Sequence, residues 1–278
     1  MTTSRPRRPG PTVRTRVHEL LADGERRHED RLATEEPLEI RLAWPGSPAR
    51  RVWVTMRTPG NDFELAAGWL VHEGLVQGSG HVASVAYCTD TDLSPEQEFN
   101  VVTVMLDGPP PTDPGHRHDT LGSGSSACGV CGKDSVASAL TVSAAARWTG
   151  DLPTPDVVRR LPDVLREQQR VFERTGGVHA AGLFTADGEP LVVREDVGRH
   201  NAVDKVTGAR VLAGASPSGA VLVVSGRAGF ELVQKALAAG VGALAAVGAP
   251  TSLSVRLAGE AGLVLYGFTS ARRCVRYT

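Results

Sequence analysis

Two cysteines, Cys128 and Cys131, lie three positions apart in a glycine-rich stretch of this 278-residue chain. Glycines on both sides let the backbone turn sharply and leave the two sulfur atoms uncrowded. Lys133 follows two residues later, and its positive charge favours the thiolate form of a nearby cysteine. The pattern therefore predicts a thiol that a large partner can reach, and it is not typical of a packed core cysteine.

The C-x-x-C spacing is compatible with more than one chemistry. A zinc site needs four ligands, which here would have to come from Cys128 and Cys131 together with the isolated Cys88 and Cys274. A thioredoxin-like redox pair normally follows a strand and opens a helix, whereas this pair follows a long Pro-, Gly- and Ser-rich loop. Two inert cysteines are a further alternative. The residues favour a thiolate that carries sulfur as a persulfide, with the alternatives open.

A second group of chemically capable residues lies between positions 176 and 205. Gly176-Gly-Val-His179 precedes a predicted strand, and the charged run Glu195-Asp-Val-Gly-Arg-His-Asn-Ala-Val-Asp-Lys205 joins a strand end to a helix. Ligands of α/β proteins bind at the carboxyl ends of strands, so the run is predicted to face a ligand. The alternatives are a solvated turn with incidental charge and, for His179, a satisfied core histidine.

Two strand-to-helix turns resemble anion sites. Ser225-Gly-Arg227-Ala-Gly and Ala249-Pro-Thr251-Ser252 both offer hydroxyl groups and backbone N–H groups at a helix start, and Arg227 adds a guanidinium. Neither turn is a Walker or Rossmann fingerprint. Together with Arg272 and Arg273 near the C-terminus, the two turns predict phosphate or nucleotide binding.

The elements that position these residues alternate between strand and helix. Strands are predicted at 38–42, 51–56, 82–87, 100–106, 180–185, 190–194, 220–224, 243–247 and 263–268. Helices are predicted at 63–76, from Asp134 through Ala146, and at 155–174, 203–212, 230–239 and 250–261. Fully apolar strands between helices indicate a largely parallel sheet covered on both faces. The predicted fold is a three-layer α/β/α core with a smaller N-terminal α/β subdomain.

The layout, with a histidine just before a strand, is similar to that of the zinc nucleoside deaminases. Their signature is H-x-E followed by P-C-x-x-C. Here His179 is followed by Ala180 and Ala181, and the later strand-to-helix junction that begins at Ser225 contains no cysteine. The sequence therefore predicts a deaminase-like frame without deaminase chemistry and without the metal of those enzymes.

Composition limits the class of protein further. The formal net charge of −1 does not favour nucleic acid or an anionic membrane as a partner. No apolar run is long enough for a membrane helix, and the N-terminus is neither a Sec nor a twin-arginine signal. Four cysteines make no disulfide framework, so a cytoplasmic protein is expected. The predicted divisions are a flexible segment 1–30, an N-terminal subdomain 31–120, a C-x-x-C loop with its following helix 121–150 and a core 151–278.

Taken together, these runs resemble the FdhD family of sulfurtransferases that accompany formate dehydrogenases. The resemblance extends from about residue 30 to the C-terminus, and the Glu195–Lys205 run is its most specific part. Its other runs are Glu35-Glu-Pro-Leu-Glu-Ile40, Arg57-Thr-Pro-Gly60 with Glu64-Leu-Ala, Cys128-Gly-Val-Cys131-Gly132, Gly176-Gly-Val-His179, Ser225-Gly-Arg-Ala228 and Ala249-Pro-Thr-Ser252.

The resemblance implies a cytidine-deaminase-like core and a function in sulfur transfer. It implies that Cys128 takes persulfide sulfur from a cysteine desulfurase, with Cys131 assisting. The sulfur then passes to the bis-molybdopterin guanine dinucleotide cofactor, which enters formate dehydrogenase. A homodimer is expected for the family, and no tightly held metal. Expected cofactor contacts are Phe268, Thr269, Ser270, Ala271, Arg272 and Arg273, together with Ser225, Arg227, Thr251, Ser252 and His200.

Two other functions remain open. A molybdenum-cofactor chaperone would bind the guanine nucleotide and would tolerate the loss of both cysteines. A zinc-stabilised interaction module would hold stoichiometric zinc and would unfold when a chelator removes it.

Overall fold

The computed structural model describes residues 8–89, 93–94, 97–114 and 147–278. Cys128, Cys131 and the helix predicted from Asp134 through Ala146 lie outside the described residues. The strands are β1 Thr12–Leu21, β2 Gly24–Ala33, β3 Glu36–Trp44, β4 Ser47–Arg57, β5 Val82–Tyr87, β6 Val101–Leu106, β7 His179–Phe184, β8 Pro190–Asp196, β9 Val221–Val224, β10 Ala243–Ala246, β11 Val264–Ser270 and β12 Arg273–Arg276. The α-helices are α1 Asp62–His72, α2 Pro155–Glu167, α3 Arg170–Thr175, α4 Arg199–Leu212, α5 Phe230–Ala239 and α6 Ser252–Ala261, and Ser79–His81 forms a 3-10 turn.

The C-terminal half is built on a six-stranded sheet in the order β12-β11-β10-β9-β7-β8. β9, β10 and β11 run parallel, while β7 is antiparallel to both of its neighbours and β12 is antiparallel to β11. Every residue of β9 and β10 is buried, as the apolar runs predict for strands covered on both faces.

Helices cover both faces of this sheet. One apolar cluster joins alternate strand residues to α4, α5 and α6, and a second joins the opposite set to α2. Leu222 and Val224 face the first cluster, whereas Val221 and Val223 face the second. The three-layer α/β/α core predicted from the sequence is thereby confirmed. The prediction of a largely parallel sheet is wrong, because three of the five strand pairs described in this sheet are antiparallel.

The N-terminal subdomain is a smaller four-stranded sheet in the order β4-β3-β6-β5, packed against α1. Trp53 of β4 stacks on Trp69 of α1 with ring centroids 4.9 Å apart. The same apolar cluster includes Val211 of α4. Helix α1 therefore lies between the small sheet and the core, and it connects the two parts.

Helices α1 and α4 cross with their backbones in contact. A Cβ atom added at Gly68 would lie 1.8 Å from the carbonyl oxygen of Asp204, and one added at Gly208 would lie 1.7 Å from that of Glu64. Real Cβ atoms do not approach so closely, so only glycine fits at either position. These two glycines fix how closely the N-terminal subdomain approaches the core.

We expect Gly68→Ala to lower the free energy of unfolding by about 1–3 kcal/mol or more, because the added methyl group meets backbone that cannot move aside locally. Gly259→Ala is the matched control. Gly259 also lies within a helix, but its added Cβ would meet only Thr278 Cγ2, at 3.5 Å. The control should gain about 0.5–1 kcal/mol from helix propensity. Urea unfolding measures both variants, and equal effects would contradict the crossing.

The prediction of a flexible segment over residues 1–30 is wrong where β1 and β2 lie, since these two strands form an antiparallel hairpin. The hairpin has no apolar alternation of the usual kind, and its side chains pair by charge instead. Arg26 Nε donates to Glu19 Oε2 at 2.9 Å across the strands, and Arg14 lies 3.6 Å from Glu29. Opposite charges on facing strands stabilise such a pair.

Candidate ligand-binding cleft

The turns that follow the parallel strands are tied together at one edge of the core sheet. The N–H of Phe268 donates to the carbonyl of Gly248 at 3.0 Å, and the N–H of Gly248 donates to that of Gly226 at 2.9 Å. The Ser225 hydroxyl accepts the N–H of Ala180 at 2.9 Å. The structure thus brings segments from β7, β9, β10 and β11 into one row at the carboxyl ends of the parallel strands, where α/β proteins bind ligands.

Phe268 has an unusual backbone conformation at this edge. Its φ of 49° is positive, which is strained for a bulky residue. Phe268 is 40% exposed, and the Arg273 guanidinium lies 5.1 Å from its ring centroid. Residues held in strained backbone conformations cluster at functional sites. Phe268 and Arg273, both expected cofactor contacts, therefore form one aromatic and cationic surface.

The remaining residues of the predicted set differ in how they are placed. Ser270, Ala271 and Arg272 are exposed, whereas Thr269 is 1% exposed and its Oγ1 has no hydrogen-bond partner among the described residues. Thr251 is the N-cap of α6. Its hydroxyl accepts the N–H of Ser254 in a capping box, and Ser252 begins the helix beside it.

Two histidines lie together beside this row. His200 Nε2 is 2.8 Å from Glu231 Oε2, which joins the first turn of α4 to that of α5. Burial, together with the charges of Arg199 and His200, lowers the pKa of His179. A Cβ added at Gly226 would lie 3.5 Å from His179 Nδ1. The turn that begins at Ser225 therefore lies next to the His179 ring. Glu231 was not predicted, although its position in the first turn of the helix after Ser225 was a usable signal.

The surface formed by these segments, which is the candidate cleft, carries an excess of positive charge. Arg199, Arg227 and Arg272 make no salt bridge to a carboxylate within the part of the chain that the structure describes. Arg227 and Arg272 are exposed. Guanidinium groups with free donors, beside a serine hydroxyl and backbone N–H groups, suit phosphate oxygens.

The Glu195–Lys205 run divides between this cleft and the interior. Arg199 and His200 face the cleft, whereas Asp196 and Lys205 are 0% and 1% exposed. Lys205 Nζ lies 2.7 Å from Asp196 Oδ2 and donates to the carbonyl of Thr58 at 2.8 Å. The sequence suggested that the run either faces a ligand or forms a solvated turn. Neither interpretation is complete, because Asp196 and Lys205 are buried in the interior.

Asp196 is the centre of this buried contact. It accepts the N–H of Thr58 at 3.1 Å and that of Gly198 at 2.8 Å, and the side-chain amide of Asn201 donates to it at 3.1 Å. Burial raises the pKa of Asp196, and the ammonium of Lys205 opposes that shift. These bonds hold the loop after β4 against the core.

A second buried cluster forms around Asp204, the residue of α4 that directly precedes Lys205. His72 Nδ1 is 2.5 Å from Asp204 Oδ1, and Lys235 Nζ is 2.6 Å from the same oxygen. Burial and the Lys235 ammonium lower the pKa of His72, whose Nε2 lies 3.0 Å from the Thr207 hydroxyl oxygen. The cluster connects α1, α4 and α5, and its depth indicates a structural role.

The two described cysteines do not form a common site with each other. Cys88 follows β5 in the small sheet, near Arg41 Nη1 at 3.7 Å, whereas Cys274 is in β12 of the core sheet. Within residues 8–89, 93–94, 97–114 and 147–278, no cluster of three or more His, Cys, Asp or Glu side chains could hold a metal. Among these described residues, no helix is long and apolar enough to cross a bilayer.

Comparison with known proteins identifies the family. A model of the FdhD/NarQ family matches residues 33–278. The sulfur carrier protein FdhD of Nocardia farcinica is 48% identical, with 92% of this chain and 89% of that protein covered. The sulfur carrier protein FdhD of Streptomyces coelicolor is 50% identical, with 86% of this chain and 84% of that protein covered. The sulfur carrier protein FdhD of Mycobacterium tuberculosis is 48% identical, with 92% of this chain and 93% of that protein covered.

A solved structure supports the same assignment at the level of the fold. A crystal structure described as a formate dehydrogenase accessory protein from Desulfotalea psychrophila superposes with a TM-score of 0.71 at 22% identity, covering 96% of both chains. The chain therefore belongs to the FdhD/NarQ family, whose curated relatives carry the name sulfur carrier protein.

Proposed function

We propose that this chain accepts persulfide sulfur on Cys128 from a cysteine desulfurase and delivers it to bis-molybdopterin guanine dinucleotide, as formate dehydrogenase maturation requires. Family membership over residues 33–278 supports the sulfur-carrier part. The observation that carries the acceptor part is the cationic cleft at the carboxyl edge of the core sheet. A reducing compartment, the cytoplasm, would keep the carrier thiol available.

The donor step is a thiol exchange. The thiolate of Cys128 attacks the outer sulfur of the donor's persulfide, a new S–S bond forms to Cys128, and the donor's S–S bond breaks. The donor leaves as a thiolate, so no external oxidant or reductant is consumed. Cys131, three residues away, is placed by sequence to assist, and Lys133 favours the attacking thiolate.

The acceptor is a large substrate that carries phosphate groups and guanine bases. Arg227, Arg272 and Arg273 supply guanidinium donors for its phosphates, and the Ser225 hydroxyl supplies a further polar contact. Phe268 presents an exposed ring on which a base can stack. The remaining proposed contacts are Thr269, Ser270, Ala271, Thr251, Ser252 and His200.

Guanosine diphosphate, which reproduces one end of the acceptor, tests this part. We expect it to bind the purified chain, and we expect Arg227→Ala to raise its dissociation constant about 10- to 100-fold, the loss typical of one charge-assisted hydrogen bond. Isothermal titration calorimetry measures the constant. Arg160→Ala removes an exposed arginine of α2 as the matched control and should leave the constant unchanged.

The outcomes separate the alternatives. Unaltered nucleotide binding in Arg227→Ala would contradict the proposed cleft. Nucleotide binding in a chain that receives no sulfur would favour the cofactor chaperone. Bound stoichiometric zinc, with unfolding by chelator, would favour the interaction module.

A further inference from the structure

His179 presents an open imidazole ring at the carboxyl edge of the core sheet. It is half-buried at the start of β7, and its ring has no hydrogen-bond partner among the described residues. In the same part of the chain, the buried polar side-chain atoms without a partner are Arg50 Nε, Asp204 Oδ2 and Thr269 Oγ1. The ring nitrogens of His179 are not among them, so they are open to the surface. His179 is therefore not a satisfied core histidine.

The neighbours of His179 leave its ring free to react. A Cβ added at Gly226 would lie 3.5 Å from His179 Nδ1 and 3.9 Å from Arg199 Cδ, so the ring and the arginine stem both lie against this glycine. His200, the other histidine of the group, is held by Glu231, with Nε2 2.8 Å from Oε2. His179 is thus the imidazole of this group that can exchange a proton with a reactant, and Arg199 supplies a positive charge beside it.

The row of turns leads from the nucleotide end of the cleft to His179. Phe268 belongs to β11, Arg227 follows β9, and β7 is the next strand in the sheet. Because β7 is antiparallel to β9, its first residue lies at the carboxyl end of β9. Three strand spacings, about 14 Å in all, separate β11 from β7. An acceptor whose base stacks on Phe268 and whose phosphate contacts Arg227 therefore has its reacting end directed toward His179.

The two cysteines of the C-x-x-C motif are within reach of this edge. A Cβ added at Gly262, two residues before β11, would lie 2.9 Å from Arg147 Nη1, so Arg147 lies near the start of that strand. Cys131 comes 16 residues before Arg147, and a stretch of that length can span up to about 50 Å. The core sheet measures only about 24 Å from its first strand to its last. The length of the chain therefore permits the sulfur atoms to meet His179.

Release of the carried sulfur requires one proton to move. Cys131 attacks the Sγ atom of Cys128 as a thiolate, whereas a free cysteine thiol is mostly protonated at pH 7. The bond between Cys128 Sγ and the outer sulfur breaks, and the outer sulfur keeps the electron pair. Because it begins as the anion of the persulfide, it must gain a proton in order to leave as hydrosulfide. The proton that Cys131 loses is the one that the outer sulfur gains.

We infer that His179 carries this proton, first as the base that accepts it from the Cys131 thiol and then as the acid that donates it to the departing outer sulfur. The inference rests on the proposed function and adds the group that drives delivery. The products are a Cys128–Cys131 disulfide and one hydrosulfide, which the acceptor takes up. The two cysteine sulfurs are oxidised and the outer sulfur is reduced, so the step needs no other oxidant. A thiol reductant reopens the disulfide before the next load.

The charges around His179 suit this double role. Burial, followed by the charges of Arg199 and His200, lowers the pKa of His179, and Asp196, opposite it on β8, opposes the shift. Glu231 of α5 is bonded to His200. The ring of His179 is therefore neutral at pH 7 and able to accept a proton, and its protonated form is a stronger acid than a free imidazolium. Delivery should fail as the pH is lowered, because the protonated ring cannot act as a base.

Sulfide release by the loaded full chain tests the proton transfer. The chain is loaded with a cysteine desulfurase and cysteine, separated from both and given guanosine diphosphate, and the sulfide released is followed at roughly pH 5 to 8. The rate for the unchanged chain should fall as the pH drops below 6.5, the ordinary pKa of histidine. His179→Gln should release sulfide about 100-fold or more slowly and lose this pH dependence. Its sulfur loading and its nucleotide dissociation constant should stay unchanged, and His18→Gln, in an exposed position of β1, is the control.

Chemical rescue separates proton transfer from a structural role. Added imidazole should speed release by His179→Ala about tenfold or more, and it should not help Cys131→Ala, which lacks the attacking thiol. Release by His179→Gln at the unchanged rate, no rescue by imidazole, or no release from the loaded unchanged chain would each overturn the inference while leaving sulfur loading and nucleotide binding intact. A chain that takes up no sulfur would contradict the proposed function itself, and the inference with it.

Discussion

Cys128→Ala should abolish formate dehydrogenase maturation, because alanine has no sulfur atom on which a persulfide can form. In a strain that lacks its own carrier, the unchanged chain should restore formate dehydrogenase activity and the variant should leave it at background. The measurement is enzyme activity in extracts, with the amount of variant protein followed in parallel. Circular dichroism of the purified variant should show an unchanged fold.

The other cysteines provide the matched controls. Cys88 follows β5 of the small sheet and Cys274 lies in β12 of the core sheet, so Cys88→Ala and Cys274→Ala should each retain maturation. Full activity of Cys128→Ala would remove the persulfide from the proposal and would favour the cofactor chaperone. Loss of activity in all three variants would point instead to a shared metal site.

Lys205→Met should lower the free energy of unfolding by about 3–5 kcal/mol, the usual result of removing one partner of a buried ion pair. Lys205 is 1% exposed, and its loss leaves the Asp196 carboxylate uncompensated in the core. Urea unfolding with circular dichroism measures the change. The effect should be among the largest for any single substitution outside the apolar cores.

A second variant separates the charge from the packing. Asp196→Asn combined with Lys205→Met removes both charges, so it should recover part of the lost stability. Full recovery is not expected, because Asp196 also accepts N–H groups from Thr58 and Gly198. A cost below about 1 kcal/mol for Lys205→Met alone would show that the pair is solvated.

The core was predictable because its signals are local. Apolar runs such as Val221–Val224 are strands wherever both faces are covered, and the helices between them follow from apolar periodicity. The turns at Ser225 and Thr251 were also found, since a strand-to-helix junction has a recognisable composition. What the sequence could not show is that Thr251 caps α6.

The roles within the Glu195–Lys205 run were not predictable, because a charge reads the same in the sequence whether it is solvated or paired. Lys205 donates to Thr58, 147 positions earlier. The helix predicted over 155–174 is divided for a similar reason: the Glu195 carboxylate accepts the N–H groups of Val171 and Phe172, both at 2.8 Å, at the start of α3. Long-range pairing of this kind has no signature in a short window.

The sequence analysis did not predict the β1–β2 hairpin, because the composition of this segment is typical of disorder. Residues 12–33 look disordered by composition, being rich in charge and poor in aromatic residues. Their strands carry complementary cross-strand pairs such as Glu19 with Arg26, which become visible only once the register is known. Charge patterning, read strand against strand, was the signal that could have found it.

Sulfur loading followed by intact-mass spectrometry tests the central claim most directly. The purified chain is incubated with a cysteine desulfurase and cysteine, in parallel with Cys128→Ser. The expected result is a gain of one sulfur atom that reductant reverses and that Cys128→Ser does not show. No gain by the unchanged chain, or an equal gain by Cys128→Ser, would contradict it.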